Sequence, residues 1–401
     1  MGGGAAVRAD ELPCLTGLRG LAAINVVIVH TQQNFFHTLF SEKSLPIQEF
    51  GVGIFFMLSG FLMGFLYGNT AFDARACTSF AAARIARIIP LYYVVVLLSV
   101  LMRAAGHDEW FYQRLGDTKE QTVSALLFMQ APFTLWTVPP ECQYYLFFAI
   151  LWALLHHYPT TTKRALWVFG PGYIIFAMYT FLASLSDGKL PVFNSILLGP
   201  IVGTQAWSML YFGSGTMVGV HWKSHFATVC EQHPRVLNTV SLISLTVAIF
   251  SPLDCLGGQR FRCPGPLGGW HFPLPSGPLY TYQWPHGLVY VSRWRFDPQR
   301  VISYLSLLVC AAAGCNTLSW LRSAPMMFAG KISYCVYLIH NLVLVEVFYY
   351  FGDGVYQLLF SYILILILAS ASLYGLEQPL QRCIRSLAER LYDSPSVKPL
   401  L

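Results

Sequence analysis

Charge is scarce in this 401-residue sequence. Lys, Arg, Asp and Glu make up 11% of it, against 55% hydrophobic residues and a mean hydropathy of +0.52. Soluble domains carry about 25% charged residues, so this shortage excludes an ordinary water-surrounded enzyme and points to a bilayer. Metal-site spacing is missing as well. The ten cysteines are scattered, with no CxxC or Cys/His pattern, which leaves neither a zinc site nor a disulfide framework to read. No metal is expected. There is no N-x-[ST] sequon and no basic stripe of the kind that holds DNA or RNA, so no nucleic-acid partner is expected. No internal repeat stands out. The opening MGGGAA has no Ser or Thr at its sixth position, a poor match to a myristoylation signal.

What is present is a series of apolar runs near 20 residues long, the length that spans a bilayer. The first, from Leu15, has no small-residue cleavage site after it and reads as a retained helix, not a signal peptide. About ten spans are expected, near 15–31, 50–68, 88–104, 138–157, 166–184, 194–220, 236–251, 299–320, 328–350 and 357–377. The fold class is therefore all-α and polytopic. The net charge of +6 fits basic loops on the cytoplasmic side. If the N-terminus is cytoplasmic, Arg75, Arg84, Arg87, Lys163, Arg164, Lys223, Arg235, Arg322, Arg382, Arg385 and Arg390 all fall on that side. Only Lys43 and Lys189 fall in the short opposite loops near 32–49, 185–193 and 351–356. Both termini are expected inside. The layout is a head over 1–14, one transmembrane domain over 15–380 and a tail over 381–401. Its 252–297 loop is rich in Pro, Gly and aromatics, which forbids regular helix there. That loop reads as an interfacial cap or as a lid over an aromatic or sugar-like ligand. Cys255 and Cys263 share it, and an oxidising lumen would allow them to pair.

Against this apolar background a few ionisable groups stand out. LTGLRGLAAINVVIVH places Arg19 and His30 eleven residues apart. On a helix they fall within about 20° of one face, some 16 Å apart along the axis. Charged or titrating groups at depth are expensive and normally face the interior of a bundle. The plain alternatives are a snorkelling arginine and a histidine satisfied by a backbone carbonyl. ARIARIIPLYY sets Arg84 and Arg87 three apart, on one face. The pair reads as a positive-inside signal or as a clamp for phosphate, which guanidinium groups bind bidentately. LWTVPPECQYYLFFAILW puts Glu141 in the first turn after Pro140, where the helix dipole favours an anion. A carboxylate there is expected near the outer depth of His30, to orient the imidazole or bind a substrate hydroxyl. Trp136, Tyr144 and Tyr145 cluster around it. KISYCVYLIHNLVLVEVFYY holds His340 mid-span and Glu346 toward the outer end. Glu377 is expected to pair with Arg382 or Arg385. Ser59 in LSGFL reads as a small packing residue.

Together LTGLRGLAAINVVIVH, GVGIFFMLSGFLMGFLY, RIARIIPLYY, LWTVPPECQYYLFF, KISYCVYLIHN and LEQPLQR resemble the membrane acyltransferase-3 family, in its order and over nearly the whole chain. The resemblance implies a stand-alone O-acyltransferase, of the O-antigen acetylase type, without a hydrolase-like extension. It moves an acyl group, often acetyl, from acyl-CoA to a hydroxyl of a natural product, lipid or carbohydrate. Acyl-CoA enters as co-substrate, and no bound cofactor is expected. The family's Arg-x10-His signature falls on Arg19 and His30, its Arg-x-x-Arg pair on Arg84 and Arg87, and its Trp…Glu segment on Trp136 and Glu141. These imply that His30 is the base, with Glu141 as the other catalytic group. Arg19, Arg84 and Arg87 bind the CoA phosphates; Trp136, Tyr144, Tyr145 and His340 surround the substrate. The chain departs at GVGIFF, where Gly53 stands in place of an acidic residue. This leaves Glu141 or Glu49 to orient His30. The rival reading is a transporter whose substrate path is lined by intramembrane Arg, His and Glu. A bacterial inner membrane and a eukaryotic endomembrane both fit.

Overall fold

The computed structural model describes residues 12–34, 50–105, 119–129, 131, 133–167, 204–250, 280–283, 289–292, 298–352 and 354–393. These are helical apart from one short hairpin. Helix α1 spans Pro13–Asn34, α2 Phe50–Tyr67, α3 Ala74–Ala104, α4 Lys119–Leu126 and α5 Val138–His157. Helix α6 spans Thr204–His221, α7 Ala227–Gln232 and α8 Pro234–Phe250. Strands β1 (Tyr280–Gln283) and β2 (Val289–Ser292) pair antiparallel inside the Pro-rich loop. Then come α9 (Pro298–Ala312), α10 (Ala324–Phe351), α11 (Val355–Ser372) and α12 (Gln378–Asp393).

The chain is an integral, multi-pass membrane protein. Six of the described helices are long and apolar enough to cross a bilayer, or seven if α9 and the 3-10 turns over Asn316–Arg322, bent by 77°, form one broken span. The expected span at 166–184, apart from residues 166 and 167, and the start of the span expected at 194–220, up to residue 203, lie outside the described residues. So do Glu49, Cys255 and Cys263, the head up to residue 11, and most of the 252–297 loop. Two elements exceed the reading from sequence. Helix α3 starts at Ala74, not near residue 88, because Asp73 caps it, accepting the Ala76 N–H at 2.8 Å. The early turns bring Arg84 and Arg87 into the body of a helix. The tail forms α12, an amphipathic helix packed against α3.

Without a hydrophobic force between helices in lipid, close packing depends on small residues. Helices α2 and α6 show this most clearly. Gly60 and Gly64 of α2 face Gly215 and Gly219 of α6, and a Cβ at any of the four would overlap backbone of the other helix. Thr216 fastens the seam, its hydroxyl 3.0 Å from the Gly60 carbonyl. Helices α1 and α10 approach in the same way through Gly20 and Gly330, again with Cβ space filled by opposing backbone, while Gly17 lies against the Leu321 carbonyl of the 3-10 turns just before α10. These two seams fix the heights at which the polar residues of α1, α2 and α10 meet.

Candidate active site

Two polar centres lie along α1. At its C-terminal end, the His30 Nδ1 is 2.9 Å from the His340 Nε2, with ring centroids 5.0 Å apart. The other nitrogen of His340 faces two backbone carbonyls, Tyr337 at 2.8 Å and Val336 at 3.0 Å. Carbonyl oxygens only accept, so the His340 Nδ1 carries its proton. In the neutral ring Nε2 is then an acceptor. The proton between the rings therefore sits on the His30 Nδ1. This assignment follows from the partners and puts the lone pair of His30 on Nε2, which has no hydrogen-bond partner among the described residues. His340 is fully buried, at 0% exposure, whereas His30 is only half-buried. The inner ring orients and the outer ring can meet a ligand.

Toward the other end of α1 lies a cluster of arginines and carboxylates. Arg19 of α1, Arg84 and Arg87 of α3, and Glu141 and Tyr145 of α5 are electrostatic neighbours. Glu141 is the hub, accepting from the Tyr145 hydroxyl at 2.5 Å and the Ser59 hydroxyl at 3.0 Å. The Arg84 guanidinium lies 5.5 Å from the Tyr145 ring centre and 5.8 Å from that of Phe80, within cation–π reach. Tyr334 of α10 closes the cluster, its hydroxyl donating to the Ile88 carbonyl at 2.9 Å. Glu377 also turns inward, 4% exposed, to Cys335 and the field of Arg87. It does not pair with Arg382, whose Nε donates to the Gln378 carbonyl. The π-helical turn Leu373–Glu377 before α12 swings the carboxylate inside. Even with both carboxylates ionised, three guanidiniums leave this interior positive.

The structure thus gathers Arg19, Arg84, Arg87, Glu141 and Tyr145 in one place and His30 with His340 in another. Glu141 is not the partner of His30. The Gly51 N–H donates to the Asn25 side chain at 3.1 Å, which fixes where α2 enters. Ser59, the donor to Glu141, lies eight residues further along α2, about 12 Å away. Nor is the Gly53 position vacant. A Cβ there would sit 2.8 Å from the Tyr304 ring, which fills the room an acid would need. Tyr144 stacks on Phe212 at 4.2 Å, with its hydroxyl on that of Thr216. Trp136 is half-buried and meets Phe56 edge-on at 6.1 Å. Glu346 lies six residues beyond His340, on another face of α10.

The structure adds three groups to the site. Ser59, a packing residue by its sequence, also donates to Glu141. Tyr337 accepts from the Thr137 hydroxyl at 2.9 Å. Asn341, next to His340, is fully buried. The signal for the last two was their spacing with Tyr334, one polar stripe on an apolar helix.

Between residues 12 and 374 the sequence matches the model of a family described as an acyltransferase domain. The chain belongs to the membrane acyltransferase-3 family. That match includes every residue of both polar centres except Glu377. Among curated relatives of this acyltransferase-3 chain is the O-acetyltransferase OatA of Staphylococcus aureus, 22% identical across 92% of this chain and 57% of the relative. Acyltransferase MdmB of Streptomyces mycarofaciens is 36% identical over 23% of this chain and 24% of its own length. Protein 2 in the picA locus of Rhizobium radiobacter is 34% identical over 30% of this chain and 65% of its own. The chain thus spans less than two thirds of each of these relatives. No solved structure matches it.

Proposed function

We propose that this chain is a membrane-bound O-acyltransferase. It moves an acyl group, acetyl by preference, from acyl-CoA to a hydroxyl of a natural product, lipid or carbohydrate. The observation that carries this reading is the His30–His340 pair, which leaves a lone pair on a half-buried imidazole. A positive cluster further down the same helix supports it. The printed names of two relatives, an O-acetyltransferase and an acyltransferase, agree with it.

CoA is a cytoplasmic polyanion, and the arginine end of α1 is taken to face that side. Its phosphates dock on Arg19, Arg84 and Arg87, whose guanidinium forks suit phosphate oxygens. Glu141, held by Ser59 and Tyr145, keeps the guanidiniums apart and oriented when no anion is bound. The pantetheine arm runs between the helices and brings the thioester to His30. The acceptor oxygen attacks the thioester carbon, the C–O bond forms and the C–S bond breaks. The hydroxyl proton passes to the His30 Nε2 and then to the departing thiolate, which leaves as the thiol. His340 is a positioning residue that fixes the tautomer. Aromatic walls, Trp136 among them, keep water from the thioester.

The test uses membranes carrying the full chain, labelled acetyl-CoA and a host metabolite extract, with mass spectrometry of acylated products. A labelled ester that depends on the chain supports the reading; uptake of an acceptor with no ester formed replaces it with a transporter. Arg84→Gln with Arg87→Gln is expected to raise the apparent KM for acetyl-CoA at least about tenfold, the loss of one or more charge-assisted contacts. An unchanged KM would leave those arginines as topology signals.

A further inference from the structure

Helix α10 links the two polar centres along one face. Tyr334, Tyr337 and Asn341 lie within about 60° of one another at 100° per residue. Tyr334 belongs to the arginine cluster. Tyr337 sits midway, against Phe55 at 6.0 Å and His340 at 6.1 Å, with Thr137 on its hydroxyl. Asn341 tops the stripe, about 10 Å along the axis from Tyr334 and adjacent in sequence to His340.

Asn341 is unlike the others. It is 0% exposed, and among the described residues neither its Nδ2 nor its Oδ1 has a hydrogen-bond partner. A buried carboxamide offers two donors and an acceptor, and leaving such groups unpaired is costly enough that most buried polar groups find partners. His340 beside it is satisfied through both ring nitrogens, and Tyr334 and Tyr337 each have their bonds. The unmet demand on this stripe is concentrated in one group that both gives and accepts.

We propose that the Asn341 carboxamide docks a secondary amide of the pantetheine arm of the acyl donor. The Nδ2 donates to the carbonyl of that amide; a trans secondary amide turns its N–H to the opposite side, so the Oδ1 accepts from the N–H of the arm's second amide. This rests on the acyl-CoA reading above and adds the recognition element between phosphate and thioester. An acyl-CoA arm carries an amide two carbons from its sulfur. A thioester placed at His30 therefore brings that amide close to the residue following His340. The arginine cluster takes the charged end, the stripe takes the arm, and Asn341 fixes how far the arm travels.

The test is binding to the purified full-length chain in nanodiscs, by calorimetry, with acetyl-CoA and with adenosine 3′,5′-bisphosphate, which has the nucleotide end without the arm. Asn341→Leu is nearly isosteric and removes an unsatisfied amide, so the thermal midpoint of the ligand-free protein is expected to hold or rise. Its affinity for acetyl-CoA is expected to fall about tenfold or more, with bisphosphate binding unchanged. Asn341→Ala serves if leucine is not accommodated. Wild-type affinity for acetyl-CoA in the variant would overturn the assignment, as would equal losses for both ligands, which mark a structural role. An amide of the acceptor in place of that of the donor would also leave acetyl-CoA binding untouched. If the unaltered protein binds no acetyl-CoA, the donor reading itself fails.

Discussion

At the scale of single residues, His30 draws its chemical character from His340. The two carbonyls on the His340 Nδ1 and the 2.9 Å contact between the rings fix both protons, so the base is held in one tautomer before substrate arrives. His340→Ala is expected to lower kcat about a hundredfold, within the usual span of general-base effects, with KM for acetyl-CoA little changed. His340→Gln, which keeps an acceptor near the Nε2 position, is expected to recover part of that loss and the wild-type pH profile. Steady-state kinetics across pH check this, and equal damage from both variants would make His340 a packing residue. Arg19 and His30 were legible because one helix carries both and their spacing shows a shared face. The partner of His30 was not, because it lies 310 residues away and local periodicity says nothing about which helices meet. Glu141 was drawn toward His30 by the same gap. Its N-terminal place on α5 was readable, but not the height at which α5 meets α2.

At the scale of helices, the molecule is joined by glycine seams. Sequence showed small residues in GVGIFFMLSGFLMGFLY, and the structure supplies what they touch. A side chain at Gly215 would overlap the Met57 carbonyl, whereas one at Gly213, two residues earlier, meets nothing within 4 Å. Gly215→Ala is therefore expected to destabilise the protein by about 1–3 kcal/mol, the usual range for overpacking. Gly213→Ala is expected to be neutral or stabilising by up to about 1 kcal/mol from helix propensity. Thermal melts in micelles compare the two directly, and a matched response would deny the seam. Helix α12 lies where the density of charge suggests a solvated tail. Its amphipathic period, in QPLQRCIRSLAERLYD, was there to be found.

At the scale of the whole molecule, one long helix ties an arginine cluster to a histidine pair. Helices from both ends of the sequence complete each centre. Composition alone identified the membrane class, and basic loops suggested an orientation. The assembly of α1, α3, α5 and α10 into one path is tertiary, and only the family resemblance anticipated its use. The account stands or falls on transfer that needs His30. The decisive measurement is the rate at which labelled acetyl passes from acetyl-CoA to a hydroxyl in membranes carrying the wild-type chain or His30→Ala. The account predicts ester formation by the wild type and a loss of at least about a hundredfold in the variant, with the variant folded and acetyl-CoA still bound. Undiminished turnover by His30→Ala would contradict it.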